Sequence, residues 1–181
     1  MSIDFESQLA ELQKKVGKIE KGTKDQLSMV VFSGDLDKIL AAMIIATGAV
    51  AYDMEVRIFF TFWATAALRD PKKSVSGKSF MGKMFGMMLP KGMNKVKLSK
   101  MNMGGMGSAM IKGIMKKKNV ASLPELFKIA GEYGVVINIC EMSMDLMGFK
   151  REEMIDYPNM NMCGVATFLA DASESKVQLF I

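Results

Sequence analysis

The sequence predicts an α/β protein with a parallel sheet and helices on both faces, and two observations lead to this fold class. Short apolar runs rich in β-branched residues alternate along the chain with segments of helical periodicity. The chain has 181 residues, of which 50% are hydrophobic and 24% charged, so it can form one globular domain with a sizeable core.

The N-terminal residues 3–20 are predicted to form an amphipathic helix, because apolar side chains recur there at steps of three and four residues. The apolar stripe comprises Phe5, Leu9, Leu12, Val16 and Ile19. It suits a short coiled coil or docking onto the body of the protein, so residues 1–22 are set apart from an α/β domain over residues 23–181. This charged stretch lacks the apolar centre of a signal peptide, and we expect none.

The first strand, helix and second strand are predicted over residues 27–62. Leu27–Phe32 is apolar and β-branched, which predicts a strand buried on both faces. The turn Ser33-Gly34-Asp35 follows, and Asp35 is a candidate N-cap for a helix over residues 36–52. The next strand is predicted over Val56–Phe62, with Trp63 at its carboxyl end and a helical stretch after it.

The second half of the domain continues the alternation of helix and strand. Ser122 and Glu125 have the spacing of a capping box, and they begin a helix that Gly134 ends. The further predictions are a strand over 135–139, a turn or helix over 142–146, a helical turn over 150–155, a weak strand or loop over 160–163, a helix over 164–173 and a final strand over 176–181.

Residues 71–118 form an insertion of extreme composition. They contain twelve lysines, no arginine and no acidic residue, so the insertion carries a charge of +12 and the rest of the chain −7. Ten of the twenty methionines and eight of the sixteen glycines also lie here. Short helices are predicted over 80–89 and 108–117, with a flexible stretch at 102–107. Folding alone hardly explains such a bias, and we expect this segment to serve the function.

Histidine, cysteine and hydropathy limit the classes of function. The absence of histidine removes Ser-His-Asp and Cys-His catalysis and any histidine metal ligand. The two cysteines, Cys140 and Cys163, are too few for a zinc site or a disulfide scaffold and fit a reducing cytoplasm. The apolar run Ile39–Val50 is shorter than the roughly 20 residues of a membrane span. We expect a cytoplasmic protein with no cofactor and no metal site; peripheral membrane attachment is the alternative location.

The candidate site lies beyond the carboxyl ends of the strands, where ligands bind in parallel sheets. The features that converge there are the turn Ser33-Gly34-Asp35, Trp63, and Cys140 with its neighbours Glu141 and Met142. A helix N-terminus after Cys140 and the nearby lysines would favour its thiolate, whereas Glu141 opposes it. The alternatives are a buried inert thiol for Cys140, a helix cap for Asp35, and a core or interface side chain for Trp63.

The second thiol, Cys163, follows Cys140 by 23 residues. This spacing leaves open whether the two sulfurs meet, because a disulfide requires Cα atoms within about 7 Å. Cys163 is therefore either a resolving thiol for Cys140 or a small filler in the core.

Four stretches of the chain stand out as motifs: SGDLDK at 33–38, FFTFW at 59–63, KLSKMNMGGMG at 97–107 and CEMSMDLMG at 140–148. From about residue 26 to the end, the chain closely resembles the DsrE/DsrF/DsrH-like family of sulfur-relay and peroxiredoxin-like proteins. The resemblance implies a flavodoxin-like parallel sheet of about five strands and assembly into oligomers. It also implies that a cysteine after a strand carries a persulfide and passes sulfur to a partner, and Cys140 matches that position.

Two classes of function follow. The leading hypothesis is a sulfur carrier, or a protein similar to a sulfurtransferase, in which Cys140 takes a persulfide from a sulfane-sulfur donor and passes it to an acceptor protein. We expect a homo-oligomer. The second hypothesis is a non-catalytic module that docks on an anionic membrane surface or a protein through residues 71–118. Further alternatives are a Cys140–Cys163 redox cycle and Cu(I) binding by Met101, Met103 and Met106; the lack of arginine argues against nucleic acid.

Overall fold

The computed structural model describes residues 5–181 and contains a five-stranded sheet in which every neighbouring pair of strands is parallel. The strands lie side by side in the order β4-β3-β2-β1-β5. Their bounds are Lys24–Val31 for β1, Glu55–Phe60 for β2, Val136–Cys140 for β3, Met160–Cys163 for β4 and Ser175–Phe180 for β5. The predicted α/β fold with a parallel sheet is confirmed.

Seven α-helices lie within residues 5–181. They are α1 Phe5–Gly22, α2 Leu36–Ala51, α3 Phe80–Met88, α4 Met106–Lys117, α5 Leu123–Glu132, α6 Glu141–Met147 and α7 Val165–Glu174. The predicted helices and strands are confirmed to within about three residues at their ends, which is the usual uncertainty of such boundaries. Residues 3 and 4 of the predicted first helix, and the side chain of Ile19, lie outside what is described.

The main core lies on the face of the sheet covered by α2 and α5. Alternate residues of β1 point into it, namely Leu27, Met29 and Val31, and all three are buried. On β2, Phe60 lies with its ring 6.0 Å from that of Phe127 on α5. Full burial of each such side chain contributes about 1.5–3 kcal/mol. This core explains why the strands begin and end near the limits of their apolar runs.

The opposite face of the sheet is covered by α7 and is more polar. Phe59 stacks on Phe168 of α7 at 5.7 Å between ring centroids. Around this contact, Asp171 of α7 accepts a 3.2 Å hydrogen bond from the side chain of Asn138 and forms a 3.5 Å ion pair with Arg57. The side chain of Gln26 donates to the backbone oxygen of Asp171 at 2.9 Å. These partners satisfy the polar groups that the face buries.

The path of the chain changes direction across the sheet after β4. The strands β1 to β4 are added in one direction across the sheet, and α7 then returns the chain so that β5 lies beside β1. The helix after β3, α6, packs into the main core through Met144 and Met147, whereas α7, after β4, packs on the other face. The connections of β3 and β4 therefore leave to opposite faces, which is the switch point where α/β sheets bind ligands.

The lysine-rich segment 71–118 is folded against the domain. The backbone N–H of Leu36 donates to the oxygen of Lys97 at 2.7 Å, and the carboxylate of Asp37 accepts from the N–H and hydroxyl of Ser99. The stretch 102–107, predicted to be flexible, forms a 3₁₀ turn over Met103–Gly105 that leads into α4.

A buried ionic cluster fastens α3 to the core. Glu153 is 2% exposed, and it pairs with Lys78 and, at 3.5 Å, with Arg69. The backbone N–H of Lys150 donates to the same carboxylate at 2.9 Å, and Arg69 lies over the ring of Phe149. Because Lys78 belongs to the insertion and Glu153 to the domain, this cluster joins the two.

The apolar stripe of α1 faces outward in the described chain. Phe5, Leu9, Leu12 and Val16 are each at least half exposed. The separation of this helix from the domain that follows stays a prediction. No helix within residues 5–181 has the length and apolar character needed to cross a membrane.

Candidate functional site

Cys140 is the last residue of β3 and the residue that immediately precedes α6. It is only 4% exposed, and two buried hydroxyl groups lie next to it, those of Thr61 and Ser143. Their oxygens are hydrogen bonded to each other at 2.9 Å, and Ser143 also accepts from the backbone N–H of Phe62 at 3.0 Å. The thiol therefore sits in a hydrogen-bonded niche formed where β2 and β3 end.

The niche favours the ionised form of the Cys140 thiol. Burial alone raises its pKa, because a thiolate loses hydration there. Hydrogen bonds from the side chain and backbone of Ser143, from the Thr61 hydroxyl and from the backbone of Met142 outweigh burial, and the pKa lies below its ordinary value. The pKa of Cys140 is thus lowered mainly by hydrogen-bond donors next to the sulfur. The lysines, which were expected to favour the thiolate, are not among the main causes. A thiolate is the nucleophilic form of cysteine.

The neighbours of Cys140 lie at the surface. Glu141 is exposed, and Met142 is more than half exposed at the start of α6. The two residues that follow Cys140 are thus accessible at the surface, whereas Cys140 itself is buried.

Cys163 ends β4 directly beside Cys140. The two residues are partners in the parallel register of β3 and β4. Side chains alternate along a strand, and two residues earlier on each strand the side chain of Asn161 donates to that of Asn138 at 3.3 Å. Both thiols therefore point to the face of the sheet covered by α7. Adjacent strands are spaced by about 4.8 Å, which is within the Cα range of a disulfide.

Cys163 differs from Cys140 in its protonation. Burial raises its pKa most, the hydroxyl of Thr167 lowers it by a hydrogen bond, and the charges of Asp171, Cys140 and Glu141 raise it further. The pKa of Cys163 lies above its ordinary value, so Cys140 ionises first. Both cysteines are free thiols.

A separate cleft gathers the other candidates. Ser33, Gly34, Asp35 and Trp63 line a cleft of about 920 Å³ together with parts of the lysine-rich segment. Four lysines line this cleft, namely Lys91, Lys95, Lys97 and Lys112. Cys140, Glu141 and Met142 do not line this cleft. The residues expected in one pocket therefore fall into two neighbouring regions, a thiol niche and a basic cleft.

In the turn Ser33-Gly34-Asp35, the role of Asp35 differs from the predicted one, and the geometry explains why position 34 is glycine. Asp35 occupies the N-cap position of α2, but its carboxylate makes no capping bond and instead accepts a 2.8 Å hydrogen bond from the Ser33 hydroxyl. A Cβ at Gly34 would lie 2.6 Å from the backbone oxygen of Trp63, so only glycine permits this close approach.

Thr61 and Ser143 were missed in the sequence as members of the site. Ser143 stands three residues after Cys140, the spacing at which an N-cap residue meets the N3 position of a helix. That spacing was available as a signal. Thr61 carries no such local signal, because it reaches the cysteine only through the pairing of β2 with β3.

The chain is similar to several known proteins. Residues 23–180 match the DsrE/DsrF/DrsH-like family. The chain is 52% identical over 154 residues to the uncharacterized protein YrkE of Bacillus subtilis, which covers 85% of this chain and 95% of that protein. It is 35% identical over 160 residues to the sulfur carrier protein DsrE2 of Allochromatium vinosum, with coverages of 86% and 98%. The solved structure of YchN from E. coli matches 86% of this chain and 99% of its own, with a TM-score of 0.49 and 11% identity.

Proposed function

Because the chain belongs to the DsrE/DsrF/DrsH-like family, we propose that it is a sulfur carrier in which Cys140 holds a persulfide and passes the outer sulfur to a partner protein. The observation that carries this proposal is the niche at the end of β3, where Ser143, Thr61 and the backbone of Met142 lower the pKa of the thiol. A relative that covers most of this chain is itself named a sulfur carrier.

The proposed chemistry consists of two exchanges at sulfur. In the first, the Cys140 thiolate attacks the sulfane sulfur of an inorganic polysulfide; a new sulfur–sulfur bond forms and the shortened polysulfide leaves with its electron pair. In the second, a thiolate of the acceptor attacks the outer sulfur, and the Cys140 thiolate leaves. The donors in the niche assist both steps, because they stabilise Cys140 as a nucleophile and as a leaving group.

An assembly of several copies fits three exposed apolar residues on α7 and β5. Val165 and Leu169 on α7 and Phe180 on β5 are all more than half exposed. Large apolar side chains on one region mark protein interfaces. We therefore propose a homo-oligomer that uses this side of the sheet and leaves the surface residues Glu141 and Met142 for the sulfur donor and acceptor.

The carrier proposal is tested by loading the wild-type protein with sulfur. We expect incubation with an inorganic polysulfide, followed by removal of the donor, to add the mass of one sulfur atom, and a reductant to remove it. Peptide mapping should place the added sulfur on the peptide that contains Cys140. Addition only at Cys163, or no addition while free thiols are still titrated, would rule the proposal out.

A second candidate function is docking on an anionic surface through the lysine-rich segment. The observation in its favour is that α3 and the residues after it expose apolar side chains among the lysines, with Phe80 81% and Met87 86% exposed. Exposed apolar groups beside cations are typical of helices that bind at a membrane interface.

Flotation with vesicles tests this docking function. We expect the protein to float with vesicles rich in anionic lipid at low salt and not with neutral vesicles. Met87→Glu should reduce the floated fraction by about threefold or more, because it places a charge on the buried side of the contact. Leu146→Glu is the control, since Leu146 is also an exposed apolar residue but lies on α6. Equal flotation with neutral and anionic vesicles would exclude an electrostatic surface.

A further inference from the structure

We infer that Cys163 is a second catalytic residue, which attacks the persulfide on Cys140 and releases hydrosulfide. This inference rests on the proposed function, since it requires a persulfide on Cys140, but it assigns the chain a further activity. The carrier would then discharge its own cargo whenever no acceptor takes it.

The placement of the two cysteines carries the inference. They are register partners at the carboxyl ends of β3 and β4. Two residues earlier on each strand, Asn138 and Asn161 are paired in the same way and are joined by a side-chain hydrogen bond. Both side chains leave the same face of the sheet. They lie at the switch point of the sheet, where the connections that follow the two strands leave to opposite faces. A core filler would need no such partner.

The step balances without an added oxidant. The thiolate of Cys163 attacks Sγ of the Cys140 persulfide, a bond forms between the two cysteine sulfurs, and the bond to the outer sulfur breaks. The outer sulfur takes the electron pair and leaves as hydrosulfide, with the proton that the persulfide already carries or, if the persulfide is ionised, with one taken from water. The sulfane sulfur is thereby reduced, and the two cysteines are oxidised to a disulfide. A dithiol reductant returns both cysteines to thiols for another cycle.

The residues around Cys163 determine how fast this step proceeds, because they control how readily its thiol ionises. Its pKa lies above the ordinary value, first because of burial and then because of the charges of Asp171, Cys140 and Glu141, against one hydrogen bond from Thr167. Arg57 faces Asp171 at 3.5 Å and offsets part of its charge. Near neutral pH Cys163 is mostly protonated, so discharge is slow. An acceptor that is already docked can therefore take the sulfur first, and discharge accelerates as the pH rises.

The experiment follows a loaded protein after the donor has been removed. We expect the wild type to release hydrosulfide, measured with a thiol-trapping fluorophore, in step with the loss of one sulfur mass and the appearance of a Cys140–Cys163 disulfide in peptide maps. The rate should increase from about pH 7 to about pH 9. In Cys163→Ser and Cys163→Ala the persulfide should persist at least about tenfold longer.

The outcomes separate this inference from the carrier proposal. Loading of Cys140 in the wild type and both variants with the same rate of discharge would overturn the role of Cys163 and leave the carrier intact. Movement of the sulfur to Cys163 without release of hydrosulfide would overturn it as well. Failure to load Cys140 in the wild type as well as in both variants, with normal circular dichroism and thermal unfolding, would instead contradict the carrier proposal.

Discussion

Replacing Cys140 with serine is expected to abolish persulfide loading and to remove the most rapidly alkylated thiol of the protein. A serine hydroxyl forms no sulfur–sulfur bond, while its oxygen can still accept from Ser143 and Thr61 in the niche. Stability should therefore change by no more than about 1 kcal/mol. Intact mass after polysulfide treatment measures the loading, and chemical denaturation checks the fold.

A graded variant makes this prediction more specific. Ser143→Ala removes the donor with the largest lowering effect on the pKa of Cys140, so that pKa should rise and the thiolate fraction at neutral pH should fall. We expect alkylation and loading near pH 7 to slow by about three- to tenfold, and the pH dependence of alkylation to move to higher pH.

The control for this variant is Ser173→Ala. The Ser173 hydroxyl is exposed and donates only to the Ala170 oxygen one turn earlier in α7. Equal rates for Ser143→Ala and the wild type would show that the niche does not activate the thiol. Full loading of Cys140→Ser would move the proposed carrier residue elsewhere.

Replacing Glu153 with glutamine is expected to lower the free energy of unfolding by about 3–5 kcal/mol. Glutamine preserves the shape but leaves Lys78 and Arg69 without the carboxylate that neutralises them, and both cations are largely buried. An uncompensated buried charge is among the most costly single changes. Urea denaturation measures the loss.

The loss of stability in Glu153→Gln should depend on pH, and the pKa of Glu153 determines in which direction. Burial raises the pKa of Glu153, but the hydrogen bond and charge of Lys78, the Lys150 N–H and Arg69 outweigh it, so the pKa lies below its ordinary value. A carboxyl group of this kind stabilises the folded state above its unfolded pKa, and the contribution disappears as the pH falls through its folded pKa. The difference between wild type and Glu153→Gln should therefore be largest near neutral pH and shrink below about pH 4.

A neighbouring carboxylate provides the matched control. Glu152 is exposed, and its replacement with glutamine should change stability by no more than about 0.5 kcal/mol. A loss of similar size for both variants would mean that the buried cluster does not fasten α3 to the core.

Much of this fold could be predicted from local sequence patterns. The strands around Leu27–Phe32 and Val135–Ile139 are short apolar runs, and even the weak pattern at 160–163 is a strand. Such patterns report how each segment is buried, which is a local property. The position of Cys140 at the end of a strand follows from the same reasoning, because it depends only on where one run ends.

The remainder depends on which strands become neighbours. Strand order decides that Cys163 lies beside Cys140 and that Thr61 reaches the thiol, and no spacing along the chain encodes that order. The same holds for Glu153, whose partner Lys78 lies far away in the sequence, within the lysine-rich segment. Asp35 is a case in which the local signal was present but the expected bond did not form. Its residue type suits an N-cap, yet its carboxylate accepts a hydrogen bond from Ser33 instead.

The contact between Gly82 and Gly148 links the outer helix α3 to the helix that starts at the thiol. A Cβ at Gly148 would lie 2.4 Å from the Cα of Gly82, so the two backbones touch with no side chain between them. Helix α6 has only seven residues, about 10 Å, between this contact and Cys140. The lysine-rich segment is therefore in direct backbone contact, through α3, with the end of the helix that begins immediately after Cys140.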